Sequence, residues 1–148
     1  MAIHNDAEFK TALNALPVGR QRQVAARFVA EMLPLSSDPR VKAAVELALR
    51  PDISEAELAG VFQSANTARV ESFTQCGKEC DWSARAAHFV AEAATACVKP
   101  AERGTSLAWE AAMDARMARA SEAVAQGQGT DNAEAEKQYR ILDAFLGA

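Results

Sequence analysis

The residues best suited to chemistry are two closely spaced cysteines and a histidine. Cys76 and Cys80 are separated by three residues, and His88 follows eight residues after Cys80. Thiolate and imidazole groups are preferred ligands of Zn²⁺, so these three residues form a candidate zinc site. The spacing differs from common zinc motifs, in which two residues separate the cysteines and a second pair follows. Cys97 is too distant to join the same ion, because it lies nine residues beyond His88, or about 13.5 Å of helical rise.

The same residues suit other thiol chemistry. Cys76 or Cys80 could act as a nucleophile with His88 as its base, since a cysteine near a helix N-terminus has a lowered thiol pKa. The two cysteines could instead form a redox pair. The third interpretation is that both are free thiols and that Cys97 is a small buried apolar residue. The odd number of cysteines, three, favours free thiols in an intracellular chain.

A second group of candidate residues is charged and lies on two alanine-rich helices. Arg85 and His88 are on the first of these helices, and Asp114, Arg116 and Arg119 are on the second. Charged side chains arranged in this way could contact a protein partner. The simpler interpretation is a solvated face whose ion pairs each contribute about 0.2–0.5 kcal/mol. For His88, the simpler interpretation is a partly buried histidine with its hydrogen bonds satisfied inside the protein.

Proline and helix-capping residues divide the chain into seven predicted helices. Asp6 is the expected N-cap of the first helix, Pro39 opens the third, and Asp81 caps the fifth. Ser54 and Glu57 form a capping box at the start of the fourth helix. The predicted helices span residues 6–16, 19–33, 39 to just before 51, 55–75, 82–98 and 107–125, and the last begins after residue 132.

The composition favours an all-α fold with one domain. Alanine accounts for 34 of the 148 residues, whereas there are only 7 glycines, 5 prolines and few aromatic residues. Because the connections are short, we expect sequential helices to be antiparallel neighbours, with hairpins formed by the third and fourth helices and by the fifth and sixth. We therefore predict a single compact helical bundle over residues 1–148, with a flexible loop at 127–132 before the last helix.

Helical spacing also predicts which faces pack inward. On the fourth and last helices the predicted inner residues include Phe73 and Leu146. On the fifth and sixth helices the predicted inner residues are Trp82, Ala86, Phe89, Val90, Ala93 and Cys97, then Trp109, Met113, Met117, Ala120 and Val124. The alanine-rich faces of these two helices allow their axes to approach closely, so enlarging Ala93 or Ala112 is expected to disturb the packing.

Net charge and hydropathy limit the class of partner. The formal net charge is −4 and the isoelectric point is about 5.2, whereas a nucleic-acid-binding domain is usually basic. The N-terminal segment lacks the basic and apolar regions of a secretory signal, and no apolar run approaches the roughly 18 residues that cross a bilayer. We therefore expect a cytoplasmic protein that binds neither nucleic acid nor membrane.

Several segments resemble the alanine-rich, all-helical immunity proteins of bacterial toxin systems. The resemblance spans residues 27–147, and the Cys76–Cys80 segment departs from it. The similar segments are RFVAEMLPL (27–35), DPRVKAAVELAL (38–49), ISEAEL (53–58), SARAAHFVAEAA (83–94) and KQYRILDAFLG (137–147). The resemblance implies a protein that is not an enzyme and that binds and blocks a toxin. Negative charge suits such a role, because many nuclease toxins have basic clefts.

Three hypotheses for the function follow. The first is a non-enzymatic module that binds another protein, such as a toxin, and needs no cofactor. The second is a small metal- or thiol-dependent enzyme or sensor centred on Cys76, Cys80 and His88, with zinc as the implied metal. The third is a helical module that binds a small ligand in a pocket between the side chains of Trp82, Trp109, Met113 and Met117.

Overall fold

Seven α-helices make up the described part of the chain, and no strand occurs there. The computed structural model describes residues 2–76, 81–102, 104–128 and 133–147, and for Cys76 the backbone alone. The helices are α1 (Asp6–Asn14), α2 (Val18–Ala30), α3 (Pro39–Ala48), α4 (Glu55–Cys76), α5 (Trp82–Val98), α6 (Leu107–Ala125) and α7 (Glu134–Gly147). The predicted all-α fold is confirmed.

Local capping explains why the helices begin where they do. Asp81 accepts a hydrogen bond from the backbone N–H of Ala84 at 2.7 Å, as predicted. Ser54 and Glu57 exchange hydrogen bonds as a capping box. The prediction for α1 is wrong by one residue: its cap is Asn5, whose backbone is extended and whose side chain accepts from the Glu8 N–H at 2.9 Å.

Two helix ends show how the chain stops a helix. α2 ends at Ala30, three residues earlier than predicted, because Leu33–Leu35 form a 3₁₀ turn around Pro34. After α6, Gly127 has a φ of 75° and the next N–H bonds the carbonyl of Ala123. This is a Schellman cap, which requires the left-handed backbone that glycine adopts without strain. Gly127 therefore begins the predicted loop at 127–132, of which residues 129–132 lie outside the described residues.

Helix α5 lies at the centre of the bundle. It makes its most extensive contact with α6 and also packs against α4, α3 and α2. α7 contacts α2 and α6, and α1 contacts α6. Two side-chain pairs near the C-terminal end of α4 run in reverse order along the two helices, Ser72 with His88 and Arg69 with Glu92, so α4 and α5 are antiparallel. Polar side chains of α4 and α6 can therefore approach those of α5, which lies between them.

The buried face of α6 is built from alanine. The predicted inner residues of α6 were the bulkier side chains, but Met117 is 48% exposed and Trp109 and Met113 are only partly buried. The buried face consists of Ala108, Ala111, Ala112, Ala115 and Ala118. Small side chains let α5 and α6 approach closely, so the bulky residues of α6 are turned toward the rim of this contact. The predicted inner stripe of α6 is therefore wrong at Met117, and its other members are only partly buried. The predicted burial of Ala93 and Ala112 is confirmed, because both are fully buried.

Three further large apolar residues that were expected inside are on the surface. Phe73, Trp82 and Leu146 are all classed as exposed, although each lies at helical spacing from buried neighbours. The core is instead filled by aromatic and aliphatic side chains of the first two and last helices, among them Phe9, Phe28 and Phe145. Exposure of Phe73 and Trp82 places two aromatic rings at one end of the α4–α5 hairpin.

Candidate functional site

A hydrogen-bonded network joins α4 to α5 around His88. The His88 side chain is buried, its Nδ1 lies 2.8 Å from the Ser72 hydroxyl, and its Nε2 lies 3.2 Å from the Glu92 carboxylate. Arg69 reaches the same carboxylate at 3.4 Å. The histidine is therefore satisfied by partners on both helices. Sequence reasoning missed Ser72 and Arg69, because only the pairing of the two helices brings them to His88.

The network contains the three residue types of a Ser–His–Glu catalytic triad, but the helices α4 and α5 around it provide no oxyanion hole. Ser72 lies within reach of His88, and Glu92 orients the ring, as nucleophilic catalysis requires. However, the Ser72 hydroxyl also donates to the carbonyl of Arg69. Backbone N–H groups inside α4 and α5 are used in helical hydrogen bonds, so they cannot stabilise an oxyanion. The arrangement is better suited to fastening α4 to α5.

Next to this network, a cleft opens between α4, α5 and α6. Its volume is about 450 Å³, within the range of small-ligand sites. Arg69 pairs with Glu92 and Lys99 pairs with Glu110 across its walls. The cleft is lined by Arg69, Glu92, Thr95, Ala96, Lys99, Trp109, Glu110, Met113 and Asp114. Of the pocket predicted between two tryptophans and two methionines, only Trp109 and Met113 line this cleft, whereas Trp82 and Met117 do not.

Asp114 has the most unusual electrostatic environment in the cleft. Burial, together with the negative charges of Glu92 and Glu110, raises the pKa of its carboxyl to about 7, although the positive charge of Lys99 lowers it in part. Glu92 and Glu110 each have a cationic partner, whereas Asp114 has no ion pair or hydrogen bond within the described residues. A carboxyl group whose pKa is shifted in this way inside a cleft is a candidate functional group.

Replacing Asp114 with asparagine is expected to change how stability depends on pH. The pKa of Asp114 is raised from 3.8 to about 7 in the folded protein, so its stabilising contribution is complete below about pH 4 and is lost as the pH rises from about 4 to about 7. At pH 8 we expect Asp114→Asn to be more stable than the wild type by about 1–3 kcal/mol, a value discounted for residual solvent exposure. Urea unfolding between pH 4 and pH 8 measures this difference.

The control for this pH experiment is Glu136→Gln, which removes an exposed carboxylate on α7. Its pH profile should follow that of the wild type. Glu92, Glu110, Lys99 and Arg69 face Asp114 in the cleft and remain in both variants. Parallel pH profiles for Asp114→Asn and the wild type would contradict the raised pKa.

The predicted partner-binding residues do not form one continuous strip. Arg85 is exposed and its guanidinium lies 4.6 Å from the centre of the Trp82 ring. His88 is buried in the network with Ser72, and Asp114 lines the cleft. These three residues therefore lie in three different surroundings and do not form a single charged surface. Their role toward a partner stays a prediction.

Arg116 and Arg119, the other two predicted residues, join α6 to the ends of the chain. Arg116 donates two hydrogen bonds to Asp6, at 3.0 and 2.8 Å, and one to Gln138 at 2.8 Å. Arg119 pairs with Glu122 of its own helix and with Glu134 of α7. Both guanidinium groups are engaged inside the protein, so the contacts they make fasten α1 and α7 to α6.

The predicted zinc site lies mainly outside the described residues. Cys80 is not described, and for Cys76 only the helical backbone is. Both ring nitrogens of His88 are within hydrogen-bond distance of Ser72 and Glu92. Within the described part of the chain, no group of three or more histidine, cysteine or acidic residues could hold a metal ion. Cys97 is a buried free thiol, and burial raises its pKa to about 12, so it is unreactive at neutral pH.

The end of the α4–α5 hairpin carries an exposed apolar surface. Phe73 is 67% exposed, Val70 47% and Trp82 44%. The Phe73 ring lies 5.7 Å from the His88 ring, which fixes one edge of this surface to the network beneath it. We call Val70, Phe73, Trp82 and Arg85 the hairpin surface. Large apolar side chains left exposed in the last turns of α4 and the first turn of α5 make this end of the hairpin a candidate interaction site.

Two observations bear on the class of protein. No helix within residues 2–76, 81–102, 104–128 and 133–147 is long and apolar enough to cross a membrane. Comparison of the chain with protein-family models, curated proteins and solved structures finds no match. The fold and sites thus define an all-helical protein with an exposed aromatic surface and a charged cleft, and the function rests on the chemistry of these two features.

Proposed function

We propose that the protein is a non-enzymatic module that binds another protein through the hairpin surface. The observation that carries this proposal is the exposure of Phe73, Trp82 and Val70 on one end of a hairpin. Arg85 lies over Trp82 at 4.6 Å, so the surface combines two aromatic rings with a guanidinium. Tryptophan and arginine are the residue types that dominate binding energy at protein interfaces, where a few side chains supply most of the affinity.

The polar network beneath Phe73 also favours this function. Beneath Phe73, the network of Ser72, His88, Glu92 and Arg69 fastens α4 to α5. A surface held in place before binding loses little conformational entropy when a partner docks. By contrast, the same network offers no oxyanion donor from the helical backbone around it, which argues against a hydrolytic role.

The finer proposal is an immunity protein that blocks a bacterial toxin in the cytoplasm. The resemblance of residues 27–147 to immunity proteins supports it. The net charge of −4 also suits a basic partner, because opposite charges speed association at low salt. An association rate that falls as salt is added would be the kinetic signature of such a pair.

Substitution within the hairpin surface is expected to weaken capture of the partner. Phe73→Ser and Trp82→Ser each remove an exposed anchor, and we expect either to weaken binding by about 2 kcal/mol or more, roughly thirtyfold. The measurement is a pull-down from a native lysate of the source organism, with mass spectrometry of the retained proteins and titration of the purified partner. Because both side chains are exposed, stability should change by less than about 0.5 kcal/mol.

The matched control is Met117→Ser, which removes an apolar side chain of similar exposure on α6. It should capture the partner as well as the wild type does. A partner retained equally by all variants would contradict the role of the hairpin surface. If the purified partner is a toxin, adding the wild-type protein should inhibit it in proportion to occupancy; a bound partner with unaltered activity would refute the immunity role while leaving the binding module intact.

A further inference from the structure

The cleft between α4, α5 and α6 combines one uncompensated carboxylate with an apolar wall. Glu92 and Glu110 are neutralised by Arg69 and Lys99, whereas Asp114 makes no ion pair or hydrogen bond within the described residues. Trp109 and Met113 line the same cleft. The Lys10 ammonium already lies 5.0 Å from the centre of the Trp109 ring, so the tryptophan offers the cleft apolar surface, and a methionine thioether adapts to the shape of an alkyl chain.

We propose that this cleft binds an alkylammonium or alkylguanidinium group, with Asp114 as the counter-ion and Trp109 and Met113 as the wall for the alkyl stem. The proposal is independent of the proposed partner surface, since the cleft and the hairpin surface share no residue. A ligand of this kind supplies the ion pair that Asp114 lacks within the described residues and occupies a cleft of about 450 Å³.

The net charge of the residues that line the cleft favours a bound cation over a bound anion. The two cations that line it are already paired, which leaves a net charge of −1 among Arg69, Lys99 and the three carboxylates when all are ionised. An anion would meet Asp114 without a free cation to hold it. A bound cation would also offset the unfavourable burial that raises the Asp114 pKa, so binding should release a proton near neutral pH.

The test is a titration of ¹⁵N-labelled protein with butylammonium chloride and with butylguanidinium chloride at pH 8. We expect saturable shifts of the Trp109 indole and Asp114 amide signals, with a Kd of roughly 1–10 mM for ligands this small. Asp114→Asn should weaken binding at least about tenfold, because the charge-assisted contact is lost. 1-Butanol, which has the same stem without the charge, should not produce saturable shifts.

Two controls separate this site from general electrostatic attraction. Glu136→Gln lowers the net negative charge equally at an exposed position of α7 and should bind like the wild type. Lowering the pH to 5.5 should weaken binding to the wild type, as Asp114 becomes protonated, and should leave the residual binding of Asp114→Asn unchanged. Equal affinity of the wild type and Asp114→Asn, or no saturable shift with either cation, would overturn the proposal.

Two further probes distinguish the source of the cationic group. Agmatine represents a free small amine, and a blocked pentapeptide with a single central lysine represents a basic side chain of a protein. Tighter binding of agmatine would assign the cleft to small amines, and tighter binding of the peptide would assign it to a basic protein segment. In both cases the Asp114→Asn variant must lose the binding for the proposal to stand.

Discussion

Replacing Ala112 or Ala93 with leucine is expected to destabilise the protein by about 1–3 kcal/mol for each substitution. Both alanines are fully buried, one on α6 and one on α5, and these two helices form the most extensive contact in the bundle. Three added carbon atoms cannot be accommodated at native packing density unless the helix axes separate. Ala112 has a second constraint, because its carbonyl accepts a hydrogen bond from the buried Gln138 at 2.9 Å.

Urea denaturation and thermal unfolding measure this effect. A loss of about 1 kcal/mol lowers the melting temperature by roughly 2–4 °C in a chain of this size. The matched controls are Ala84→Leu on α5 and Ala125→Leu on α6, because both alanines are exposed. These controls change helix propensity in the same way without adding volume to the core. Wild-type stability of Ala93→Leu and Ala112→Leu would contradict the tight packing at these two positions.

Arg22→Met is expected to destabilise the protein by about 2–3 kcal/mol. The Arg22 side chain is buried, and its Nη1 donates to the carbonyls of Cys97 and Lys99 at 3.0 and 2.8 Å. These carbonyls are at the end of α5, where backbone oxygens lack helical partners and the helix dipole favours positive charge. Methionine keeps much of the apolar stem but has no donor, so the carbonyls lose both the hydrogen bonds and the charge.

The expected loss of stability in Arg22→Met is partly offset, because the variant no longer buries a charged guanidinium. Its guanidinium pKa is lowered by burial, and a methionine there avoids that desolvation cost. We expect the unpaired carbonyls to dominate, because removal of one partner leaves buried polar atoms unsatisfied. Arg140→Met, at an exposed position on α7, is the matched control and should change stability by less than about 0.5 kcal/mol. An equal effect of the two variants in urea unfolding would contradict the capping role of Arg22.

Local sequence signals predicted most helix boundaries. α5 and α6 span the predicted residues, and α4 ends within one residue of the prediction. Asp81 and the Ser54–Glu57 box act through hydrogen bonds to N–H groups only three residues away, so they need no tertiary context. The misplaced cap of α1 has the same local origin, because Asn5 and Asp6 are both good caps and only the backbone conformation selects one.

The packed faces were predicted less well than the helices themselves. On α6, hydrophobic periodicity favoured Trp109, Met113 and Met117 because they are the bulkiest apolar residues. The structure buries the alanine face instead. On a helix with alanine on several sides, apolar residues mark more than one possible inner face, and the neighbour that fits most closely decides among them. Phe73 and Trp82 are exposed because smaller or polar side chains fill the α4–α5 contact, among them Ala68, Ser72 and His88.

Local sequence signals are enough to predict an all-helical chain and the seven helices of the described residues, because the ends of these helices depend on residues a few positions apart. The roles of the polar side chains, by contrast, follow from tertiary packing. It brought Ser72 to His88, Arg22 to the end of α5, and Arg116 to Asp6, pairs that are far apart in the chain. It also placed Asp114, which has no ion pair or hydrogen bond within the described residues, in a cleft among paired charges. Capping depends on nearest neighbours along the chain, whereas burial and ion pairing depend on which helix faces meet, and that is set by packing of the whole bundle.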